Sequence, residues 1–266
     1  LTQIKQTSKT CAHPRNLRTV FKSVEPSEYD TLAQLESTHW WYVGMRHLAA
    51  GIARSLALPA PTRILDAGCG VGGGLRWLRA FGDPTGIDLH PRAIHHARRR
   101  ATSLAQSSVL ALPFPNATFA LVTSFEVLYH RAVFDDAQAF AELARVLQPG
   151  GWLMVRVPAH DWLRGAHDLQ VHTRHRYTPA EVAQKICAAG LRLHRLTYAG
   201  GWLFPLAVLR RLTPNPQAAH SDVTQPPAPL NTLFTWLMRL EAAYAQRFDL
   251  PFGLSVLAVG QKAPAP

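Results

Sequence analysis

Between Ser27 and Leu58 apolar side chains return every three or four positions, at Tyr29, Leu32, Leu35, Met45, Leu48, Ile52 and Leu56, a spacing that predicts helix. Pro59-Ala60-Pro61 ends that run. The pattern then changes period. Short apolar runs at Arg63–Ala67, Pro84–Asp88, Phe119–Ser124, Trp152–Val157, Leu191–Tyr198 and Leu254–Val259 read as strands, with a weaker one at Ser107–Leu110. Helical patterns lie between them at Gly72–Phe81, Pro91–Thr102, Asp135–Leu147, Thr178–Ala189 and Asn231–Phe248. Pro91 suits a first helical turn, Thr178 with Glu181 suits an N-terminal cap, and Gly190 suits a helix end. Gln148-Pro149-Gly150-Gly151 reads as a turn. Strands alternating with helices predict an α/β chain with a mostly parallel sheet covered on both faces.

The same reading divides the chain. Residues 1–26 are polar and aperiodic, a loose tail; 27–61 form a helical cap; 62–200 form the alternating core. Residues 201–249 are a helical, Pro-rich insertion or lid, with Pro214, Pro216, Pro226, Pro227 and Pro229 in its middle, and 250–266 return a last core strand and a tail.

Composition narrows the class. At 47% hydrophobic the chain of 266 residues has ample material for a core, which excludes overall disorder. Lys and Arg outnumber Asp and Glu by 28 to 17, a net charge of +11 that favours anionic partners such as nucleic acid or acidic lipid, or else a solvated basic surface. The tightest basic run, Arg98-Arg99-Arg100, ends a predicted helix, where the helix dipole favours cations anyway. Cys11, Cys69 and Cys187 have no metal or disulfide spacing and point to a reducing, cytoplasmic setting. Residues 1–6 lack the apolar core of a secretion signal, and a first residue other than Met points to a truncated or processed chain.

The sharpest motif is Ile64-Leu65-Asp66-Ala67-Gly68-Cys69-Gly70-Val71-Gly72-Gly73, a strand running through a glycine bend into a helix. Asp88 ends the next strand, at the distance where an acid accepts hydrogen bonds from ribose hydroxyls. A bare turn and a dinucleotide site share this pattern. Asp66 separates them: a carboxylate at the mouth of the bend repels a pyrophosphate and suits an ammonium or sulfonium group.

Asp66-Ala67-Gly68-Cys69-Gly70-Val71-Gly72 resembles the first motif of the class I S-adenosylmethionine-dependent methyltransferases, here of a bacterial small-molecule type. Leu112–Val122 and Glu142–Gly151 resemble that family's approaches to its fourth and fifth strands. The resemblance covers about residues 40–200 well, and the final strand loosely. It implies a Rossmann-like, mostly parallel seven-stranded sheet with helices on both faces and the last strand antiparallel. It implies S-adenosyl-L-methionine as cofactor. Asp66, Gly68, Cys69 and Gly70 would meet its methionine half, Asp88 its ribose, Leu89, Ser108 and Val109 its adenine, and Phe125 would lie beneath it. Ser108 stands where the family often has Asp, which weakens the expected grip on adenine, and Ala120 stands where it usually has Asp, a structural change. Trp40-Trp41-Tyr42 and Arg46 either close over the cofactor, Arg46 meeting its carboxylate and Tyr42 beside it, or form an aromatic helix face packed on the sheet.

Direct displacement of a methyl group needs alignment, and needs a base only if the acceptor must lose a proton. The candidates for catalysis are His130, after the fourth strand, and His172, His175 and Tyr177 in the cluster His160-Asp161, His167-Asp168, His172, His175-Arg176-Tyr177. That cluster is an acceptor site, a metal site, or a polar loop that Arg176 and Tyr177 tie down; no metal is expected. Trp202–Arg211 is apolar with a basic end and is either a lid or a membrane-surface segment. The reading is a methyltransferase acting on a small-molecule acceptor, lipid- or saccharide-like, with peripheral membrane contact left open. Its rivals are an RNA methyltransferase, an NAD(P)-dependent oxidoreductase and a cofactor-binding protein without catalysis.

Overall fold

A computed structural model describes residues 26–101, 103–212 and 226–265. The expected tail up to residue 25 and the Pro-rich stretch 213–225 lie outside the described residues. Helices α1 (Pro26–Leu35) and α2 (Trp40–Ala53) lead into β1 (Arg63–Ala67), α3 (Gly73–Leu78), β2 (Asp83–Asp88), α4 (Pro91–Ala97), β3 (Leu104–Gln106) and β4 (Phe119–Phe125). Then come α5 (Asp136–Val146), β5 (Leu147–Pro158), a short 3-10 turn (Asp161–Leu163), α6 (Ala166–Gln170), α7 (Pro179–Ala188), β6 (Leu191–Ala199), α8 (Phe204–Leu212), α9 (Ala228–Tyr244) and β7 (Ser255–Lys262).

The strands form one seven-stranded sheet in the order β3-β2-β1-β4-β5-β7-β6. β1 to β5 pair in parallel, and β7 runs antiparallel to both β5 and β6. Alternation along the strands feeds two cores. Leu65, Val122, Val155 and Ala258 point to the face covered by Phe140 and Leu143 of α5 and Val182 and Ile186 of α7. Ile64, Leu121, Met154 and Leu257 point to the opposite face, under Leu48 and Ile52 of α2 and Met238 and Ala242 of α9. Strand order reverses direction at β1, between β2 and β4, and the crevice at such a point is where open α/β sheets bind ligands.

Local chemistry explains several element ends. Thr178 and Glu181 make a reciprocal capping box on α7, and the Asp135 carboxylate accepts the Gln138 N–H at 3.0 Å to start α5. Two expectations are corrected. The third strand is Leu104–Gln106, three residues before the expected Ser107–Leu110; the latter is a turn whose Ser108 bridges to Ala111 and whose Val109 and Leu110 are buried. A three-residue edge strand carries too little alternation to be read. The turn at 148–151 lies within β5: Leu147 pairs with Phe119 and Trp152 with Leu121, so the intervening residues bulge out.

Candidate active site

The sheet face beneath α2 and α9 is apolar toward the amino ends of its strands and polar toward their carboxyl ends. Two residues beyond Ile64 on that face comes Asp66; beyond Leu121 come Thr123 and then Phe125; beyond Met154 comes Arg156; beyond Leu257, in the reverse direction, comes Ser255. The period of two that buries the core thus also delivers these side chains to one edge.

The glycine bend follows β1. Gly68 (φ +90°), Gly70 (φ +53°) and Gly72 (φ +92°) occupy the left-handed region, where a side chain is strained. A Cβ on Gly68 would stand 2.1 Å from Val127 Cγ2, so the bend and the loop after β4 touch backbone to side chain. The Gly68 and Cys69 N–H groups both donate to the Ile87 carbonyl at 2.8 Å, which locks the bend to β2. Asp88 secures its far side: Oδ2 accepts from the Gly70 N–H at 3.0 Å and Oδ1 from the His90 N–H at 2.8 Å.

Asp66 is buried, and its Oδ1 accepts the Thr123 hydroxyl at 2.9 Å. Burial pushes its carboxyl up to about 6, against the pull of Thr123, with nearby Asp88 adding to the rise and Arg156 opposing it. Burial likewise raises Asp88, offset in part by its two backbone donors. Two acids raised in this way beside a bare backbone bend form a site that gains from a cation. Burial also pushes the Cys69 thiol up, which leaves it inert.

One cavity of about 1670 Å³ opens over this edge. All eleven residues expected at the cofactor line it: Asp66, Gly68, Cys69, Gly70, Asp88, Leu89, Ser108, Val109, Phe125, Arg46 and Tyr42. Arg46 is already engaged, donating to the carbonyls of Glu36 and Ser37 at 2.5 and 3.3 Å, so it ties the α1–α2 connection. The far wall is apolar and aromatic. Trp40 and Trp41 of α2, Leu203 before α8 and Phe234 of α9 line it, with the Trp40 and Phe234 rings edge-on at 5.3 Å.

The expected catalytic set does not converge. Of its four members only His130 lines the cavity. Its Nδ1 accepts the Ala132 N–H at 3.0 Å, and burial, helped by His172 and Arg131, pulls its pKa down to about 4. The neutral ring therefore carries its proton on Nε2, a buried donor with no hydrogen-bond partner among the described residues, and offers no base. His172 packs edge-on against it at 5.9 Å, outside the cavity lining. His175 bonds Glu181 at 3.2 Å at the start of α7. Tyr177 is fully buried, donating at 2.7 Å to Asp136 and at 3.1 Å to the Leu128 carbonyl. The rest of that segment is organised by a two-pronged ion pair: Arg176 donates to Asp168 at 2.8 and 3.1 Å and to the Ala159 carbonyl at 2.9 Å. Among the described residues, no three His, Cys, Asp or Glu side chains gather as a metal site would require.

Sequence reasoning missed Glu126 and Arg156, which also line the cavity. Arg156 Nε donates to Glu126 Oε1 at 2.9 Å, and its guanidinium lies 5.0 Å over the Phe125 ring. A signal existed: an arginine one residue from the end of the otherwise apolar run Trp152–Val157.

The methyltransferase-domain family matches residues 65–155. An uncharacterised 37.1 kDa protein from a transposon of Streptomyces fradiae is 32% identical over 205 residues, 71% of this chain and 56% of its own length. A probable S-adenosylmethionine-dependent methyltransferase of Mycobacterium tuberculosis is 29% identical over 149 residues, 54% of this chain and 52% of its own. The chain thus spans about half the length of these relatives. A Haloferax volcanii chain solved in complex with the Trm112 methyltransferase activator shares the fold with a TM-score of 0.58 at 24% identity, over 90% of this chain and 98% of its own.

Proposed function

We propose that the chain is a class I S-adenosylmethionine-dependent methyltransferase and that it methylates a small, apolar acceptor bound in the same cavity as the cofactor. One observation carries this reading. The cavity of about 1670 Å³ joins the glycine bend and its two acids to a wall of aromatic and aliphatic side chains. Pockets for one small ligand run to roughly 300–1,000 Å³, so the space suits two ligands side by side.

The residues present fit the cofactor. When bound, S-adenosylmethionine supplies a sulfonium methyl group that an acceptor displaces directly. Asp66, buried and bonded through one oxygen to Thr123, offers its other oxygen to the ammonium group of the amino-acid tail. Asp88 spends one lone pair of each oxygen on a backbone N–H and keeps the others for the ribose hydroxyls. Leu89 and Val109 flank the adenine, Ser108 meets its edge, and Phe125 forms the floor. Orientation and exclusion of water by the aromatic wall supply the catalysis, consistent with a cavity that His172, His175 and Tyr177 do not line.

The far wall also supports a lipid surface as the source of the acceptor. At 100° per residue, Leu230, Leu233, Trp236, Leu240 and Tyr244 of α9 lie within an arc of about 120°. All five are exposed. Leu230 of that stripe and exposed Leu206 of α8 also line the cavity, so its mouth is continuous with the apolar surface. The net charge of +11 suits an anionic bilayer. None of the described helices is long and apolar enough to cross a membrane, and the proposed contact runs through the exposed stripe of α9.

Incubation with methyl-labelled S-adenosylmethionine and fractionated cell extract tests the reading. Label is expected in the organic-soluble small-molecule fraction. Label confined to RNA would replace it with the RNA reading, and thermal stabilisation by NADH but not by S-adenosylhomocysteine would end it.

A further inference from the structure

Arg156 is out of place for a residue of the sheet interior. Its strand partners are Phe125 on β4 and Leu257 on β7, and its side chain is only 8% exposed. Burying a guanidinium costs free energy unless its donors are satisfied, and a guanidinium has five N–H groups. One is used: Nε donates to Glu126 Oε1 at 2.9 Å. Among the described residues, nothing accepts from Nη1 or Nη2, and both belong to a side chain that lines the cavity. Glu126, whose other oxygen is left by Arg156, holds this arrangement in a strained backbone, at φ +58°, with its own N–H donating to the Arg156 carbonyl at 2.9 Å. A strained residue thus clamps the inner side of the fork, while the outer, two-pronged edge is left to the cavity. That edge matches the geometry of a carboxylate, which accepts two parallel N–H bonds.

Resting on the methyltransferase reading above, we propose that the acceptor is an amphipathic carboxylic acid, its carboxylate seated on the Nη edge of Arg156 and its apolar body along Trp40, Leu203 and Phe234. The wall accounts for the body of such a molecule and the buried guanidinium for its head. A neutral apolar acceptor packed against the guanidinium would strip water from its four Nη N–H groups and give them no partner in return. A carboxylate oxygen also needs no base: its lone pair would form the new O–CH3 bond as the sulfonium S–CH3 bond breaks, giving a methyl ester and S-adenosylhomocysteine with no proton to place, in keeping with the dispersal of His172, His175 and Tyr177 away from the cavity. The one other carboxylate the cavity would hold is the cofactor's own, and the experiment separates the two.

Isothermal titration with dodecanoate and with dodecanol, both below micellar concentration and with S-adenosylhomocysteine saturating, reads the head-group preference. The wild-type chain is expected to bind dodecanoate at least about tenfold more tightly. At pH 8, where Asp66 is ionised with or without its Arg156 neighbour, Arg156→Met is expected to erase that preference while dodecanol and S-adenosylhomocysteine bind as before. Equal wild-type affinities would overturn the proposal. So would a folded Arg156→Met variant, its near-ultraviolet circular dichroism intact, that loses S-adenosylhomocysteine, because Arg156 would then serve the cofactor's tail. If the Met variant does not fold, Arg156→Lys decides: it keeps the charge without the fork, and dodecanoate should weaken severalfold with dodecanol unchanged, whereas unchanged dodecanoate binding counts against the idea. A wild-type chain that binds no S-adenosylhomocysteine would sink the cofactor reading instead, and the same comparison of the two probes without it would still report on Arg156.

Discussion

Burial lifts the Asp66 carboxyl from the usual carboxylate range to about 6, although Thr123 and Arg156 pull the other way. A folded-state pKa above the unfolded one means the folded chain holds its proton more tightly. The penalty is absent below about pH 4, grows as pH rises toward 6 and is fully present above it. For a shift of this size it is about 3 kcal/mol at most. Asp66→Asn should therefore melt higher than the wild type at pH 7, with the difference fading by pH 4, yet bind S-adenosylhomocysteine poorly at every pH. Thermal melts across pH with and without that ligand check both halves; equal affinity for the ligand would remove Asp66 from the site. Asp88 is a harder target, because its carboxylate also holds the Gly70 and His90 N–H groups. Asp88→Ala would loosen the bend as well as lose the ribose. Tyr177→Phe addresses the corrected residue. Losing its bond to Asp136 should cost about 1–2 kcal/mol in chemical denaturation and leave S-adenosylhomocysteine affinity unchanged.

Among the elements, the bend and α3 depend on glycine for different reasons. Gly68 lies at φ +90° and a Cβ there would collide with Val127. Gly74, inside α3, has ordinary helical backbone, but its Cβ would come within 2.2 Å of Asp66 Oδ2. Gly74→Ala should accordingly fold with little loss of helix, since alanine is the better helix former, while displacing the acid and cutting cofactor affinity at least about tenfold; ligand-induced thermal shifts measure it. The apolar stripe of α9 makes the opposite kind of prediction. Leu233→Ser with Trp236→Ser alters exposed positions, so the free energy of unfolding should change by no more than about 0.5 kcal/mol per substitution. Co-sedimentation with anionic vesicles should fall, and unaltered binding would show that α9 is not the contact.

The whole molecule places its chemistry where the strand order reverses, at the carboxyl ends of β1 and β4, with α2, α8 and α9 closing the far side. A ligand that binds only the folded chain stabilises it by about 2.7 kcal/mol at a hundredfold excess over Kd. For a chain of this size that is a rise in melting temperature of about 5–10 °C. S-adenosylhomocysteine should produce such a rise and NADH none. The net charge of +11 acts at the same scale. Vesicle binding should weaken as salt rises but persist in part, because the apolar stripe is not screened; complete loss at high salt would assign the contact to charge alone.

The sequence by itself determined the parallel core, the glycine bend and the acid at the end of β2, because these rest on local rules: the period of apolar positions, the residues able to take positive φ, and the length of one βα unit. The residues expected at the cofactor line one cavity for the same reason, most of them lying at or just beyond the ends of consecutive strands. Only the tertiary structure decided which polar side chains reach the cavity. Tyr177 and His175 look like acid–base residues in sequence, yet packing sends one into the core and the other to a helix cap. Arg156 looks like a stray charge in a buried strand, and becomes part of a site only because β4 and β7 flank it and Glu126 turns back to hold its inner edge. Side-chain direction at the end of a strand is set by neighbours remote in the chain, and no local pattern encodes them.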